Sequence, residues 1–252
     1  MSDRSIGIPG STDPGIIRRL APRVESAGYR TLWINDTPGG DALAALAVAA
    51  EVTTTLRLAT GVIPLDRQDA ATIARRVEDL ALPVDRLTLG IGSGGARHGL
   101  QLLEESVTRL RAALDVPLAI GALGPRTRAL AARVADGVVF NWLDPASAAA
   151  AMSDLRRDAG GRDVRGILYV RTIVDPGARD ALASEARRYA AVPSYAANFA
   201  RLGLDPMATT WDLSATARPA FDAVDEVVLR TVTAGGTVDE LLALVDAGAP
   251  QA

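Results

Sequence analysis

Residues 117–142 read PLAIGALGPRTRALAARVADGVVFNW, and within this stretch the chain passes through a buried strand, a glycine turn, a helix and a second buried strand. Pro117 to Ala122 is a short apolar run of the kind that suits a strand covered on both faces. At the turn, Gly124 supplies backbone freedom and Pro125 suits a first helical position, where its missing N–H costs nothing. Thr127, Leu130, Ala131 and Val134 follow at i, i+3, i+4, i+7 spacing, with Arg126, Arg128 and Arg133 largely off that stripe. The pattern predicts a helix with one packed and one wet face. Gly137 ends it, and Val138, Val139 and Phe140 form the second strand, which leaves Asn141 and Trp142 at a strand's C-terminal end. The unit is βαβ with parallel strands.

The same alternation continues outward in both directions. Upstream, strands are expected at Ser5 to Pro9, Thr31 to Ile34, Leu56 to Val62 and Arg86 to Gly92. The first is followed by cap candidates Ser11, Thr12 and Asp13, then Pro14 and the periodic run Ile16, Ile17, Leu20, Val24, stopped by Gly28. Helices are expected from Asp41 to about Glu51, from about Ala70 to Leu82 and from about Leu100 to Leu114. Downstream come a helix over Pro145 to Ala159 stopped by Gly160-Gly161, a strand over Arg165 to Val174 and a helix over Ala178 to Ala190. Asp225 to Val232 reads as a last strand, and Thr237 caps a last helix ending at Asp246. Between them, residues 191–223 carry Tyr195, Phe199, Leu202, Leu204 and Trp211 at spacings that suggest short helices. Eight strands alternating with eight helices in 252 residues predict a closed (β/α)8 barrel, one domain over residues 1–252. An open doubly wound sheet is the other arrangement, but no G-x-G-x-x-G follows the first strand.

Composition narrows the function. A net charge of −3 and no long lysine or arginine run leave no footprint for nucleic acid. The absence of cysteine excludes disulfides, thiolate metal sites and thiol nucleophiles. No secretory signal or membrane-length apolar run is visible, which points to a soluble, cytoplasmic protein.

In a barrel, ligands bind where strands end. Here those ends collect Pro9, Asn35, Asp36, Gly61, Val62, Ser93, Gly94, Ala122, Gly124 and Asn141. The set is mostly small or neutral, and it suits a planar ring laid against backbone better than a metal or a pair of hydrolytic carboxylates. A cofactor would then carry the difficult chemistry. The turn at Leu123, Gly124, Pro125, Arg126 and Thr127 offers free N–H groups, a helix dipole, a guanidinium and a hydroxyl, a combination that either cradles phosphate or is an ordinary turn with a solvated arginine. Gly92-Ser93-Gly94-Gly95 is a flexible loop or a place for close backbone approach to a ring or phosphate. Asp36 is the one acid placed to act, its other reading being a loop cap. His98, the only histidine, has no visible partner and is assigned no catalytic role.

The segment ALGPRTRALAARVADGVVFNWLDP resembles the strand-five to strand-six signature of the luciferase-like monooxygenase superfamily, and most closely its branch using the deazaflavin coenzyme F420. Thr60-Gly61-Val62-Ile63-Pro64 is similar to a strand-three end that in this branch carries a non-prolyl cis peptide behind the deazaflavin ring; the matching bond is Gly61–Val62. VPSYAANFARLGL resembles the region that packs above the barrel and encloses the site. The resemblance implies a homodimer formed through the alanine-rich ALAALAVAAEV helix and the third helix, and hydride transfer between F420 and a small substrate. FMN monooxygenase chemistry, or a trimmed protein that binds a flavin without catalysis, are the alternatives within the same superfamily. Where its dehydrogenase branches place an acid and a histidine after strand two and an acid after the glycine pair of strand four, this chain has Asp36, Thr37 and Gly95. The link from Gly94 to Val116 is also short, so the mouth is expected to be open.

Overall fold

The computed structural model describes residues 2–215 and 220–250. Eight parallel strands close on themselves: β1 (Asp3–Pro9), β2 (Thr31–Asn35), β3 (Arg57–Thr60), β4 (Leu87–Gly92), β5 (Leu118–Gly121), β6 (Gly137–Asn141), β7 (Arg165–Ile173) and β8 (Glu226–Thr231). Each pairs with its neighbour in sequence, and β8 pairs with both β7 and β1, Arg230 lying opposite Arg171 on one side and Gly7 on the other. That last pairing closes the barrel and excludes the open sheet.

Among the described residues nine α-helices surround it: α1 (Pro14–Ser26), α2 (Ala42–Ala50), α3 (Ala70–Asp79), α4 (Gly99–Ala113), α5 (Pro125–Val134), α6 (Pro145–Ala159), α7 (Arg179–Ala190), α8 (Pro193–Leu202) and α9 (Val238–Ala247). Local chemistry explains most of their ends. Asp13, Asp41, Asp69 and Asp144 accept first-turn N–H groups at α1, α2, α3 and α6. Thr237 and Glu240 form a reciprocal capping box at α9. Gly160 stops α6 and Gly203 stops α8, both in the left-handed conformation that a side chain resists. Among the described residues no helix is long and apolar enough to cross a membrane.

Four expectations need correcting. The third strand stops at Thr60; the Gly61–Val62 bond that follows is cis, and Ile63 and Pro64 pair with β4 opposite Ile91 and Gly92. Gly124 has φ −90°, an extended value open to any residue, so its glycine is not required by backbone conformation. Arg128 is not on a wet face of α5: it is buried, its guanidinium 5.2 Å from the Phe140 ring. Burial, and then the repulsion of Arg201, hold its pKa down to about 10. The helix over Ala178 to Ala190 is a 3-10 turn at Pro176–Ala178 followed by α7. The segment after α7 forms α8, a 3-10 turn at Pro206–Thr209 and a two-residue strand, Trp211–Asp212, pairing with the end of β7. Residues 216–219 of that segment lie outside the described residues.

Two cores share the strands. Outward residues of β1 to β8 pack against the helices, and inward ones form a smaller barrel interior of Trp33, Ala59, Ala119, Val139, Ile167, Tyr169 and Val228. Its floor is polar: the buried Glu226 accepts from Ser5 Oγ at 2.6 Å and Trp33 Nε1 at 2.7 Å.

Outside the barrel, Glu25 ties the end of α1 to the loop that feeds β3. Its Oε1 accepts N–H groups from Thr54, Thr55 and Leu56 and the Thr55 hydroxyl. Burial pushes this carboxyl up, but those donors outweigh it and hold the pKa at about 2. A depressed carboxylate pKa stabilises the fold above the unfolded value of 4.5 and loses that contribution as pH falls toward 2. Urea titrations are therefore expected to show Glu25→Gln less stable than the wild type at pH 7, the gap closing progressively below pH 4.5.

Candidate functional site

The C-terminal ends of the strands form a mouth whose rim is half-exposed while the layer below is closed. Pro9, Asn35, Val62, Gly121, Leu123 and Asn141 are all partly accessible, whereas Gly61, Tyr169 and Arg171 beneath them are buried. Val62 is the centrepiece. A methyl group on Gly92 would stand 2.7 Å from its side chain and one on Gly121 3.2 Å, so glycines on β4 and β5 make room for the turned-in valine. Asn35 Nδ2 donates to the Gly61 carbonyl, and Asn35 Oδ1 is buried without a partner.

The residues singled out in the sequence fall into three places. Asn35, Gly61, Val62 and Asn141 meet at the mouth. Ser93 and Gly94 lie on the six-residue link between β4 and α4, where the Asp66 carboxylate occupies the space beside Gly94 and accepts the Gly95 N–H at 2.8 Å. The close backbone approach expected of this loop is thus made by the chain's own Asp66. Ala122 packs in the outer core, with its N–H on Val139 O and its carbonyl 3.5 Å from Arg128 Nε. Leu123, Gly124, Pro125, Arg126 and Thr127 make the start of α5, which no side chain caps; Pro125 and Arg126 are exposed, and a methyl group on Gly124 would meet nothing within 4 Å. His98 precedes α4, exposed and without a capping bond.

Asp36 is buried, its side chain 1% exposed, with Oδ1 2.8 Å from Arg67 Nη2 and Oδ2 accepting from Gln68 Nε2 at 3.1 Å. Burial raises its pKa, the Arg67 charge opposing. The carboxylate joins the end of β2 to the 64–69 loop.

The sequence reading missed the charged part of the mouth, which is not mostly neutral. Arg171 and Arg230 stand side by side on the inner face of β7 and β8, 2% and 7% exposed. Glu185 of α7 lies between them, Oε1 accepting from Arg171 Nε at 3.0 Å and Oε2 3.9 Å from Arg230 Nη2. Arg171 also donates to Asn141 Oδ1 and is stacked by Trp142 at 4.1 Å and Tyr189 at 4.7 Å. Trp142 reaches this position from φ +54°, an uncommon conformation for a bulky residue. Phe199 and Tyr195 of α8 complete an aromatic roof over it. Period-two alternation was the available signal, since Ile167, Tyr169 and Arg171 share one strand face, as do Val228 and Arg230. Among the described residues no cluster of three His, Asp or Glu side chains is placed to hold a metal ion.

A protein-family model described as luciferase-like monooxygenase matches residues 3–116 and 96–250, nearly the whole chain. The chain belongs to this family. The 5,10-methylenetetrahydromethanopterin reductase of Methanolobus tindarius is 27% identical over 191 residues, 60% of this chain and 59% of the relative. The alignment thus spans about three fifths of that relative's length. The coenzyme F420-dependent tetrahydromethanopterin reductase of Methanopyrus kandleri superposes with a TM-score of 0.68 at 15% identity, over 96% of this chain and 98% of that one. The oxygenating constituent of 3,6-diketocamphane monooxygenase from Pseudomonas putida, solved with FMN, superposes with a TM-score of 0.64 at 13% identity, over 100% and 99%. At such identities the likeness to luciferase-like structures is one of fold.

Proposed function

We propose that this chain is an oxidoreductase that binds coenzyme F420 at the barrel mouth and transfers a hydride between it and a small organic substrate. The observation that carries this reading is the character of the mouth: a half-exposed Val62 on a glycine-lined floor, flanked by Asn35 and Asn141, with its conspicuous acid already paired. Such a surface positions a ring and leaves the bond-making to it. The residues fit the group. Asn35 Oδ1 is a buried acceptor waiting for a donor, and the uncapped start of α5 beside Arg126 suits a phosphate. In this reading Gly61 and Val62 back the ring, Asn35 and Asn141 address its polar edge, and the 123–127 turn takes the phosphate, while Asp66 fills the space beside Gly94 and keeps Ser93 and Gly94 at the margin. F420, when bound, supplies a two-electron hydride carrier. FMN is the second reading, favoured by the equally complete superposition on an FMN-bound relative.

Asp36 is the acid of this mouth. Burial raises its pKa against the opposing Arg67 charge, and Arg67 and Gln68 fix its orientation. With the substrate in hand, Asp36→Asn is expected to cut turnover by about 10²–10⁴-fold while cofactor affinity stays unchanged, read as a kcat loss without a Kd change.

Native mass spectrometry of the chain mixed with equal amounts of F420 and FMN tests the assignment. The expected spectrum is a dimer carrying F420, the α2 and α3 helices being the proposed contact between its copies. FMN occupancy alone would replace the deazaflavin reading with the flavin one, and an empty chain would remove both.

A further inference from the structure

The mouth holds more positive than negative charge, and the excess is buried. Arg171 and Arg230 are direct cross-strand neighbours pointing into the barrel, where two like charges repel strongly because little water screens them. Among the described residues one buried carboxylate, Glu185, serves both, and it makes a hydrogen bond only to Arg171. It is also shared with the exposed Arg188 at 3.9 Å. The other buried acid of these strands, Glu226, is engaged at the opposite end of the barrel by Ser5, Trp33 and Arg165. Removing one cation from water without a counter-ion costs several kcal/mol, so a fold that keeps two arginines on one carboxylate is short of an anion.

The geometry around the pair is that of a prepared receptor. Asn141, Trp142, Tyr189 and Glu185 fix Arg171 in one plane, and a fixed guanidinium plane is the fork that matches a carboxylate or phosphate. One layer below on the same strand face, the Tyr169 hydroxyl is fully buried and has no partner. Trp142, 1% exposed, lies over Arg171 and Phe199 packs on Trp142, while Asn141, which bonds Arg171, is the partly exposed residue beside it.

Building on the oxidoreductase reading above, we propose that Arg171 and Arg230 form a substrate subsite for a single oxyanion group, so that the substrate is a small organic acid carrying a carboxylate or phosphate. Arg230 takes the anion that Glu185 does not supply, and Arg171 sets its orientation.

The test titrates the full chain, without cofactor and at constant ionic strength, with acetate, inorganic phosphate and acetamide, the uncharged counterpart of acetate. Tryptophan fluorescence is the readout, since Trp142 lies on Arg171. Saturable quenching or enhancement is expected with acetate or phosphate in the millimolar range and none with acetamide; the tighter of the two anions names the group. Arg230→Gln is expected to weaken binding roughly tenfold. Glu185→Gln, which removes the competing carboxylate, is expected to tighten it. Arg230→Lys keeps the charge and loses the fork, so with its fold verified by circular dichroism it should bind between wild type and Arg230→Gln. A flat response to both anions, or unchanged affinity in the folded Arg230 variants, overturns the proposal. A repeat on protein saturated with F420 or FMN separates the sources: retained anion binding supports a substrate subsite, and competition assigns the arginines to the cofactor and overturns it. Failure of both cofactors to bind would sink the oxidoreductase reading while leaving the anion titration to give its own answer.

Discussion

Glu185→Leu is expected to lower the stability of the chain by about 3–5 kcal/mol, the cost of leaving a buried charge without its partner. In a domain of this size that is a fall in Tm of roughly 6–20 °C. Glu185 is the single carboxylate between Arg171 and Arg230, and both guanidiniums stay buried when it is removed. Burial pushes the Glu185 carboxyl up, but Arg230 and then Arg171 outweigh it and hold the pKa below the usual carboxylate range. Its contribution is therefore complete above the unfolded value of 4.5 and is lost as pH falls through the lower, folded value. Wild type and variant should differ most near neutral pH and converge in acid. The surface pair Arg18–Glu51, about half exposed on both sides, is the control: Glu51→Leu is expected to change stability by less than about 1 kcal/mol. Scanning calorimetry that finds the two variants equally stable would refute the buried-counter-ion account.

Gly61→Ala is the second large effect. A methyl group at this position would stand 2.6 Å from Cζ of Tyr169, closer still to its hydroxyl oxygen, and 3.1 Å from the Trp33 ring. Overpacking of this kind costs about 1–3 kcal/mol. It also displaces the floor on which Val62 rests, so cofactor binding should weaken with stability. Tyr169→Phe supplies the complementary change. The hydroxyl has no partner, so its removal alone is expected to be close to neutral in stability, or stabilising. In the Gly61→Ala background it should restore at least half of the loss, because the obstructing oxygen is gone. Equilibrium urea unfolding of the four proteins measures this coupling; a Gly61→Ala protein as stable as the wild type would show that Tyr169 does not press on the mouth floor.

The barrel was legible because it depends on patterns that a single chain displays: strand runs, helical spacing, Asp and Thr caps, and glycine stops such as Gly160. The mouth was legible only in part. Asn35, Gly61, Val62 and Asn141 end strands and could be placed by counting. Arg171 and Arg230 could not be recognised as one site because they are 59 positions apart and become neighbours only when β8 pairs with β7. Glu185 arrives from a helix whose other charges, Arg179, Asp180, Arg187 and Arg188, are exposed, so nothing in its local sequence marks it as buried. Arg128 misled for the opposite reason: the apolar stem of an arginine can cover core surface, and the Phe140 ring stabilises its head. Asp66 beside Gly94 is likewise a meeting of two loops that share no motif.

The central claim is that the mouth of this barrel holds a deazaflavin. Parallel titrations of the purified chain with F420 and with FMN, followed by ligand fluorescence to give a Kd for each, test it directly. Saturable binding of F420, at least tenfold tighter than that of FMN and weakened in Gly61→Ala, is the predicted result. FMN binding alone, or no binding of either at tens of micromolar, would contradict it.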